Sequence, residues 1–576
     1  MNRKLSLPLL IVCAAMLFGA FLRMHHLGDR TMSHVEMFVP NIPLAEGLSI
    51  PKPRMDLWTV VTNTLSSDTH PPGFYLFMWF VTKIFGTSTL AIRLPSVLFG
   101  VASIGLVFWL AILIEQPIAG CVAAAFLAFN GYHIVWSQTA RMYSMLCFLG
   151  LLTTILLLLV ARSAVTRKGL EISYAALTLL GLATHDFFWL LLATQMLWVL
   201  GNAWMQNRPL PNVLHTQLLV VILGSPLLAF AVYQSGNPVA SLSRDAPKVA
   251  REYVQFEYLI PGWDDTWAPR GAPAAALAPQ FVVPMAMFAI LCFLLLIVGI
   301  ARLRPEAEPL LSQKAKPFTG AWLVAAVLGV LAIVLHVIVA IRHGDTKSTL
   351  KVTEALIPLP LVLVSLALLL RRSWDRLRSL GSRLNLKFLQ GGPPLVWMQA
   401  IVPVLLLAGL SFVFRPLMDQ RGFLFMAPYL LLTLAAGVVA LGRRSRWLAL
   451  SLFVILGTLH GFSVWAYSDR TVSPLNFKEF ADALKPRLHD NDLIFMRQGW
   501  DTSPILYYLT PARHHLYASH FTEESARHPD ARIWVLLFHE EKILPAIAPV
   551  LEDYREVEAV DVYEARAVLY CRGACR

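Results

Sequence analysis

Residues 94–114 read LPSVLFGVASIGLVFWLAILI, an unbroken run of 21 residues without a charge. At about 1.5 Å of rise per residue, such a run in helical form crosses the roughly 30 Å hydrocarbon layer of a bilayer. Twelve more apolar stretches extend the pattern to both sides, near residues 5–22, 118–136, 142–161, 172–184, 187–201, 213–233, 281–301, 318–341, 354–370, 395–414, 422–441 and 447–467. The expected fold is an α-helical polytopic membrane protein with about thirteen transmembrane helices. The fifth and sixth stretches are short and share a tight turn at His185-Asp186.

Composition agrees with that reading. The 576-residue chain is 57% hydrophobic and 15% charged, with a mean hydropathy of +0.60. Soluble domains carry about 25% charged residues, which excludes one large water-soluble core. The apolar content also excludes disorder, and six cysteines are too few for a disulfide scaffold. The net charge of +12 names no nucleic-acid partner, because basic residues of membrane proteins gather on cytoplasmic loops.

Topology follows from those basic residues. Arg3 and Lys4 precede the first apolar stretch, and Leu22-Arg23-Met24-His25 after it lacks a small-residue cleavage pattern, so a retained helix with its N-terminus inside is expected. The inner segments then hold 19 lysines and arginines in about 75 residues, against 16 in about 143 residues of outer loops. An odd number of spans puts the C-terminal end outside. The expected domains are a membrane domain over 1–467, with its first outer loop at 23–93, and an extracytoplasmic domain over 468–576. In the latter, short apolar runs at 493–496, 533–538 and 567–570 alternate with helix-like stretches near 475–488, 502–509 and 541–552, the pattern of a small α/β domain. Cys571 and Cys575 can pair in an oxidising compartment, whereas Cys13, Cys121, Cys147 and Cys292 fall in apolar stretches and read as packing.

Polar chemistry collects on the outer side. The first outer loop contains Arg30, His34, Glu36, Arg54, Asp56, Asp68, His70 and Arg93, and its THPPGFYLFMWFVTKIFG segment reads as a turn followed by an amphipathic interfacial helix. Other outer loops add Arg141 and Tyr143 in SQTARMYS, the His185-Asp186 turn, and Arg415 and Arg421. Arginine binds phosphate oxygens through a planar fork and keeps its charge when partly desolvated. A nearby carboxylate can take a proton from an acceptor while arginines stabilise a departing phosphate. That set suits transfer of a group from a lipid phosphate.

The order of a first-loop acidic residue, THPPGFY, RLPSVLFG and SQTARMYS, with a small extracytoplasmic tail domain, resembles the polytopic glycosyltransferases of the GT-C class. The nearest branch is the bacterial dolichyl-phosphate-mannose protein mannosyltransferase-like group, which includes aminoarabinose transferases. The resemblance implies a polyprenyl-phosphate sugar donor, an inverting displacement at the anomeric carbon, and a lipid, glycan or protein acceptor on the extracytoplasmic face. It also favours a bacterial inner membrane. The family's first loop ordinarily carries an Asp-Glu pair whose Asp is the base; here Val35 stands in the Asp place beside Glu36. Glu36, then His34, then Asp68 are the candidates for that role. His70, Arg93, Arg141, Tyr143, His185, Asp186 and Arg421 are the candidates for substrate binding, although at Arg421 the family more often continues with tyrosine where Gly422 stands.

Each candidate also has a structural reading. His70-Pro71-Pro72 can be a rigid turn, Arg93 and Arg141 membrane-edge anchors, Tyr143 an interfacial belt residue, and His185-Asp186 a helix cap. His34, Glu36, His70, His185 and Asp186 are of the types that hold zinc or manganese, but no HExxH spacing marks a helix face, so no metal is assigned. A transporter of lipid-linked sugars and an inactive scaffold of the same fold are the competing classes. The first would show repeated halves and broken helices near mid-membrane; the second is supported by the missing Asp.

Overall fold

The computed structural model describes residues 3–43, 56–67, 70–163, 167–206, 211–235, 279–303, 321–342, 357–381, 391–413, 420–468, 476–496, 504–509, 515–516, 521–538, 547–562 and 565–573. The membrane domain comprises α1 (Arg3–Met24), α2 (Leu57–Ser67), α3 (Gly73–Phe85), α4 (Thr89–Leu113), α5 (Pro117–Ala128), α6 (Gly131–Ser137), α7 (Tyr143–Arg162), α8 (Lys168–Thr184), α9 (Phe188–Met205), α10 (Asn212–Ser235), α11 (Pro279–Arg302), α12 (Ala321–Arg342), α13 (Leu359–Gly381), α14 (Pro393–Val413), α15 (Ala427–Gly442) and α16 (Arg446–Ser468). Each of the thirteen apolar stretches contains a helix within its described residues. Among the described residues seven helices are long and apolar enough to cross a membrane, or eight if the bent α5–α6 pair is one span. The protein is an integral, multi-pass membrane protein.

The third stretch is not the single helix its apolarity suggests. It breaks between α5 and α6 with a 61° bend. Asn130 causes the restart: its side chain accepts from the His133 amide at 2.9 Å and caps α6. The bend leaves carbonyls of the α5 terminus without helical partners, and Arg23, fully buried at the end of α1, takes up two of them.

Inside the bundle, α4 packs along α1, α5 and α7, while α7 and α15 are its most deeply buried long helices. Where water is absent, polar groups must bond one another. A continuous chain does this across five helices. Gln217 donates to the Tyr174 phenol at 3.0 Å, Tyr174 to Gln195 at 2.7 Å, Gln195 to Thr154 at 3.2 Å, and Thr154 meets the Tyr429 hydroxyl at 2.8 Å. It fixes α10, α8, α9, α7 and α15 relative to one another.

The C-terminal domain is the small α/β unit that the alternating runs suggest. It contains α17 (Phe477–Leu484), β1 (Leu493–Met496), α18 (Pro504–Tyr508), β2 (His515–Leu516), α19 (Phe521–Arg527), β3 (Ile533–Phe538), α20 (Ala548–Leu551), β4 (Arg555–Val562) and β5 (Ala565–Cys571). The sheet order is β2-β1-β3-β5-β4, with β1 parallel to β2 and β3, and β5 antiparallel to β3 and β4. Strand alternation divides the side chains. Leu493, Phe495, Ile533 and Val535 fill one core; Ile494, Met496, Trp534 and Leu536 face the other way, into a core continuous with the membrane domain. The domain is thus seated on the bundle. Cys571 is disulfide-bonded, while Cys575 lies outside the described residues; Cys13, Cys121, Cys147 and Cys292 are free.

Candidate active site

Three segments converge where the C-terminal domain meets the bundle: the turn after α1, the SQTARMYS segment between α6 and α7, and the turn between α8 and α9. In the first, Ser33 opens a short 3-10 turn over His34–Phe38, and Glu36 closes a capping box. The Glu36 carboxylate accepts from the Ser33 amide at 3.0 Å and from the Ser33 hydroxyl at 3.2 Å. Arg93 on α4 grips it with both arms, Nε to Oε1 and Nη2 to Oε2, each at 2.7 Å. The Ala140 amide adds a fifth donor at 3.0 Å. Arg93 in turn donates to the carbonyls of Leu27, Arg30 and Thr31. Both residues are almost completely buried.

This geometry bears on the role of Glu36. Burial pushes its carboxyl up, but the Arg93 charge and hydrogen bonds, with the Ser33 and Ala140 amides, outweigh burial and hold it below the usual carboxylate range. Both oxygens are engaged by these donors, and Glu36 thereby organises the loop. A depressed carboxyl contributes stability above its unfolded pKa, about 4.3, and loses it as pH falls through the lower folded value. The amount by which Glu36→Gln lowers the thermal midpoint is therefore expected to be constant from pH 8 to 5 and to shrink only below about pH 4. A difference that already shrinks between pH 7 and 5 would contradict this ion pair.

His34 is half-buried in the same turn, next to Val35, whose carbonyl accepts from Arg141 at 3.4 Å. Arg141 donates to the Tyr75 phenol on α3 at 2.7 Å, and its guanidinium lies 5.4 Å from the Phe38 ring centroid and 5.9 Å from that of Tyr75. Glu36 and Arg141 are thus neighbours through Val35 and Ala140. Tyr143 stacks edge-on with Trp136 at 4.6 Å and lies 5.7 Å from the His185 ring. His185 lies 5.0 Å from His70 and 5.1 Å from Phe187, between centroids. The Phe187 amide donates to His185 Nδ1 at 3.0 Å, which puts the hydrogen of the neutral ring on Nε2. Asp186, partly buried, is the next residue of that turn.

Two glycines allow this convergence. A Cβ on Gly73, in the HPPGFY segment, would lie 2.4 Å from the Ala183 carbonyl oxygen, so α3 can start against the end of α8 only with glycine there. A Cβ on Gly422 would lie 2.4 Å from the Phe187 ring, which fills the space a larger residue would need. That contact brings the segment holding Arg421 beside the α8–α9 turn. Asp68 lies outside the described residues.

The structure therefore gathers His34, Glu36, His70, Arg93, Arg141, Tyr143, His185 and Asp186 at one end of the bundle. It does not make one metal donor set of them: Glu36 belongs to Arg93, and among the described residues no three His, Cys, Asp or Glu come together to hold an ion. Several contacts in this arrangement were not apparent in the sequence. Tyr75 anchors Arg141. Gln138 donates to the carbonyls of Leu22, Arg23 and His25, tying the end of α1 to the SQTARMYS segment, and receives Arg30. The Ser33-x-x-Glu36 spacing was the available sign that Glu36 serves a turn.

Among solved structures, the chain is similar to ArnT from Cupriavidus metallidurans bound to undecaprenyl phosphate, with 14% identity, 98% of each chain covered and a TM-score of 0.41. It is also similar to the oligosaccharyltransferase AglB from Archaeoglobus fulgidus in complex with an inhibitory peptide and a dolichol-phosphate, with 12% identity, 100% of this chain and 75% of that one covered, and a TM-score of 0.45. No curated protein matches the chain. Residues 69–230, which include His70, Arg93, Arg141, Tyr143, His185 and Asp186, match the family model of the dolichyl-phosphate-mannose-protein mannosyltransferases, the polytopic glycosyltransferase family that the sequence resembles.

Proposed function

We propose that the protein is an integral-membrane glycosyltransferase that takes a sugar from a polyprenyl-phosphate carrier and passes it, with inversion, to an acceptor on the extracytoplasmic face of a bacterial inner membrane. The observation that carries this reading is the coincidence of the family match with the convergence: the matching segment is the one that brings Arg141, His70, Tyr143 and His185 together. Arg141 would bind the donor phosphate. Its contacts with the Tyr75 phenol, the Val35 carbonyl and the Phe38 ring hold the guanidinium in place, and its planar fork suits phosphate oxygens. His185 would donate from Nε2 to a phosphate or sugar oxygen, with His70 beside it; Arg421, whose side chain lies outside the described residues, is a further candidate for the phosphate. The arginine and the imidazoles would stabilise the carrier phosphate as the glycosidic C–O bond breaks.

His34 would take the proton from the acceptor as the new bond forms, because Glu36 is committed to Arg93 and Val35 has no acid to offer. Asp68 is the alternative base. The membrane domain, 1–467, would hold the donor site, and the extracytoplasmic domain, 468–576, would cover it.

Purified protein in detergent, incubated with radiolabelled undecaprenyl-phosphate sugars and membrane lipid or glycan acceptors, tests the reading. Arg141→Ala is expected to weaken undecaprenyl phosphate binding by on the order of 100-fold, as loss of a charged partner costs about 2–5 kcal/mol. Arg141→Lys should recover only part, since a point charge does not replace the fork. Unaltered binding in both variants would remove Arg141 from the donor site. A wild type that binds undecaprenyl phosphate yet transfers no sugar would favour the inactive scaffold.

A further inference from the structure

The C-terminal domain touches the membrane domain at a narrow place. At the end of α18, the Tyr508 hydroxyl accepts from the backbone amide of Met32 at 2.7 Å and shares a hydrogen bond with the Thr31 side chain. The Lys478 amide, at the start of α17, donates to the Thr31 hydroxyl at 3.2 Å, and the Lys478 ammonium lies 3.8 Å from Asp29. Tyr507 donates to the Thr87 carbonyl, just ahead of α4, at 3.3 Å. From the other side, Arg93 holds the Thr31 carbonyl at 2.9 Å. Thr31-Met32 is therefore fastened to α4 and to the C-terminal domain at once, and the turn carrying His34 begins at the next residue.

The inventory of donors shows why a side chain from so far along the chain is used. Met32 is completely buried, and a buried amide without an acceptor is costly. Ser33 and Glu36 bond each other, and Arg93 offers only donors, so neither supplies that acceptor. The phenol of a residue 476 positions away does. Tyr508 is itself buried, and burial pushes its phenol up to about 12, so it is a neutral acceptor throughout the physiological range.

We infer that Tyr508 is a positioning residue, and that α18 is a latch by which the C-terminal domain sets the Thr31–Phe38 turn, and His34 within it, against Arg141. The inference rests on the transferase reading for its effect on turnover, but the latch itself can be tested without it. Removing the acceptor while keeping the ring frees the turn and leaves the donor-phosphate contacts of Arg141 intact. Turnover falls, and affinity for the carrier lipid does not.

The test compares full-length wild type and Tyr508→Phe in detergent by amide hydrogen exchange, undecaprenyl phosphate binding and sugar transfer. The expected result is exchange in the 29–36 segment faster by about tenfold, corresponding to one lost hydrogen bond to a buried amide. The β3 amides should keep their protection, the Kd for undecaprenyl phosphate should stay within about twofold, and kcat should fall several-fold. Unchanged exchange in 29–36 overturns the latch, and so does faster exchange with unchanged turnover. If β3 also loses protection, the domain itself has been disturbed, and Thr31→Val, which removes the Thr31 hydroxyl's bonds to Tyr508 and to the Lys478 amide from the loop side, decides by the same criteria. If the wild type transfers nothing, the transferase reading fails, and the exchange result alone upholds or overturns the latch.

Discussion

Glu36→Gln and Arg93→Gln are each expected to lower the thermal midpoint and to reduce transfer by at least about 100-fold, because either one leaves a buried charge without its partner, at a cost of about 3–5 kcal/mol. The structure gives two reasons for so large an effect. The pair is nearly inaccessible to water, and each partner organises further backbone: Glu36 the amides of Ser33 and Ala140, Arg93 the carbonyls of Leu27, Arg30 and Thr31. The doubly substituted Glu36→Gln/Arg93→Gln protein should be no worse than the worse single variant, since its glutamines can still accept and donate without an uncompensated charge. Independent contributions would multiply instead. The same experiment separates positioning from base catalysis. If Glu36 took the proton, Glu36→Gln would lose turnover with its thermal midpoint unchanged, and Arg93→Gln would not rescue it.

The membrane domain was legible in the sequence because lipid imposes length and apolarity on each segment separately, so each apolar stretch contains a helix, although the third contains two. Seven or eight of the described helices are long and apolar enough to cross a membrane. The α/β tail was legible for a similar local reason, through the alternation in Ile533–Phe538 and its neighbours, although the two-residue β2 and the polar edge strand β4 carry too little apolar signal to be seen. The site was legible in its membership and not in its bonding. His70, Arg141, Tyr143 and His185 come together as chemistry-bearing loop residues should, but partners such as Tyr75, Gln138 and Tyr508 are set by tertiary contacts across 66, 113 and 476 positions. Glu36 illustrates the difference. A motif position suggested a base; only its five donors show that the carboxylate is already occupied.

Arg23 carries the second large prediction, and it concerns a residue that the sequence placed in the first outer loop. It is instead fully buried at the end of α1, and its guanidinium fork is spent on the α5–α6 break: Nη1 donates to the Gly19 and Ala128 carbonyls at 2.9 and 3.1 Å, Nη2 to the Leu127 carbonyl at 3.1 Å and to His133 Nδ1 at 2.8 Å, and Nε to the Ser137 hydroxyl at 3.3 Å. These bonds account for the five N–H groups of the guanidinium. Arg23→Met is expected to destabilise the membrane domain by about 3–5 kcal/mol, because it strands several buried acceptors where no water can replace the donor. Arg23→Lys should lose nearly as much: three donors on one nitrogen cannot span acceptors set around a planar fork. Since α6 leads directly into Gln138, Ala140 and Arg141, undecaprenyl phosphate binding should weaken along with thermal stability in both variants. Arg141→Ala would differ by weakening binding far more than thermal stability. An Arg23→Lys protein with wild-type stability would mean that the bend is held by Asn130 and its neighbours, and that the charge at Arg23 serves something other than the broken helix.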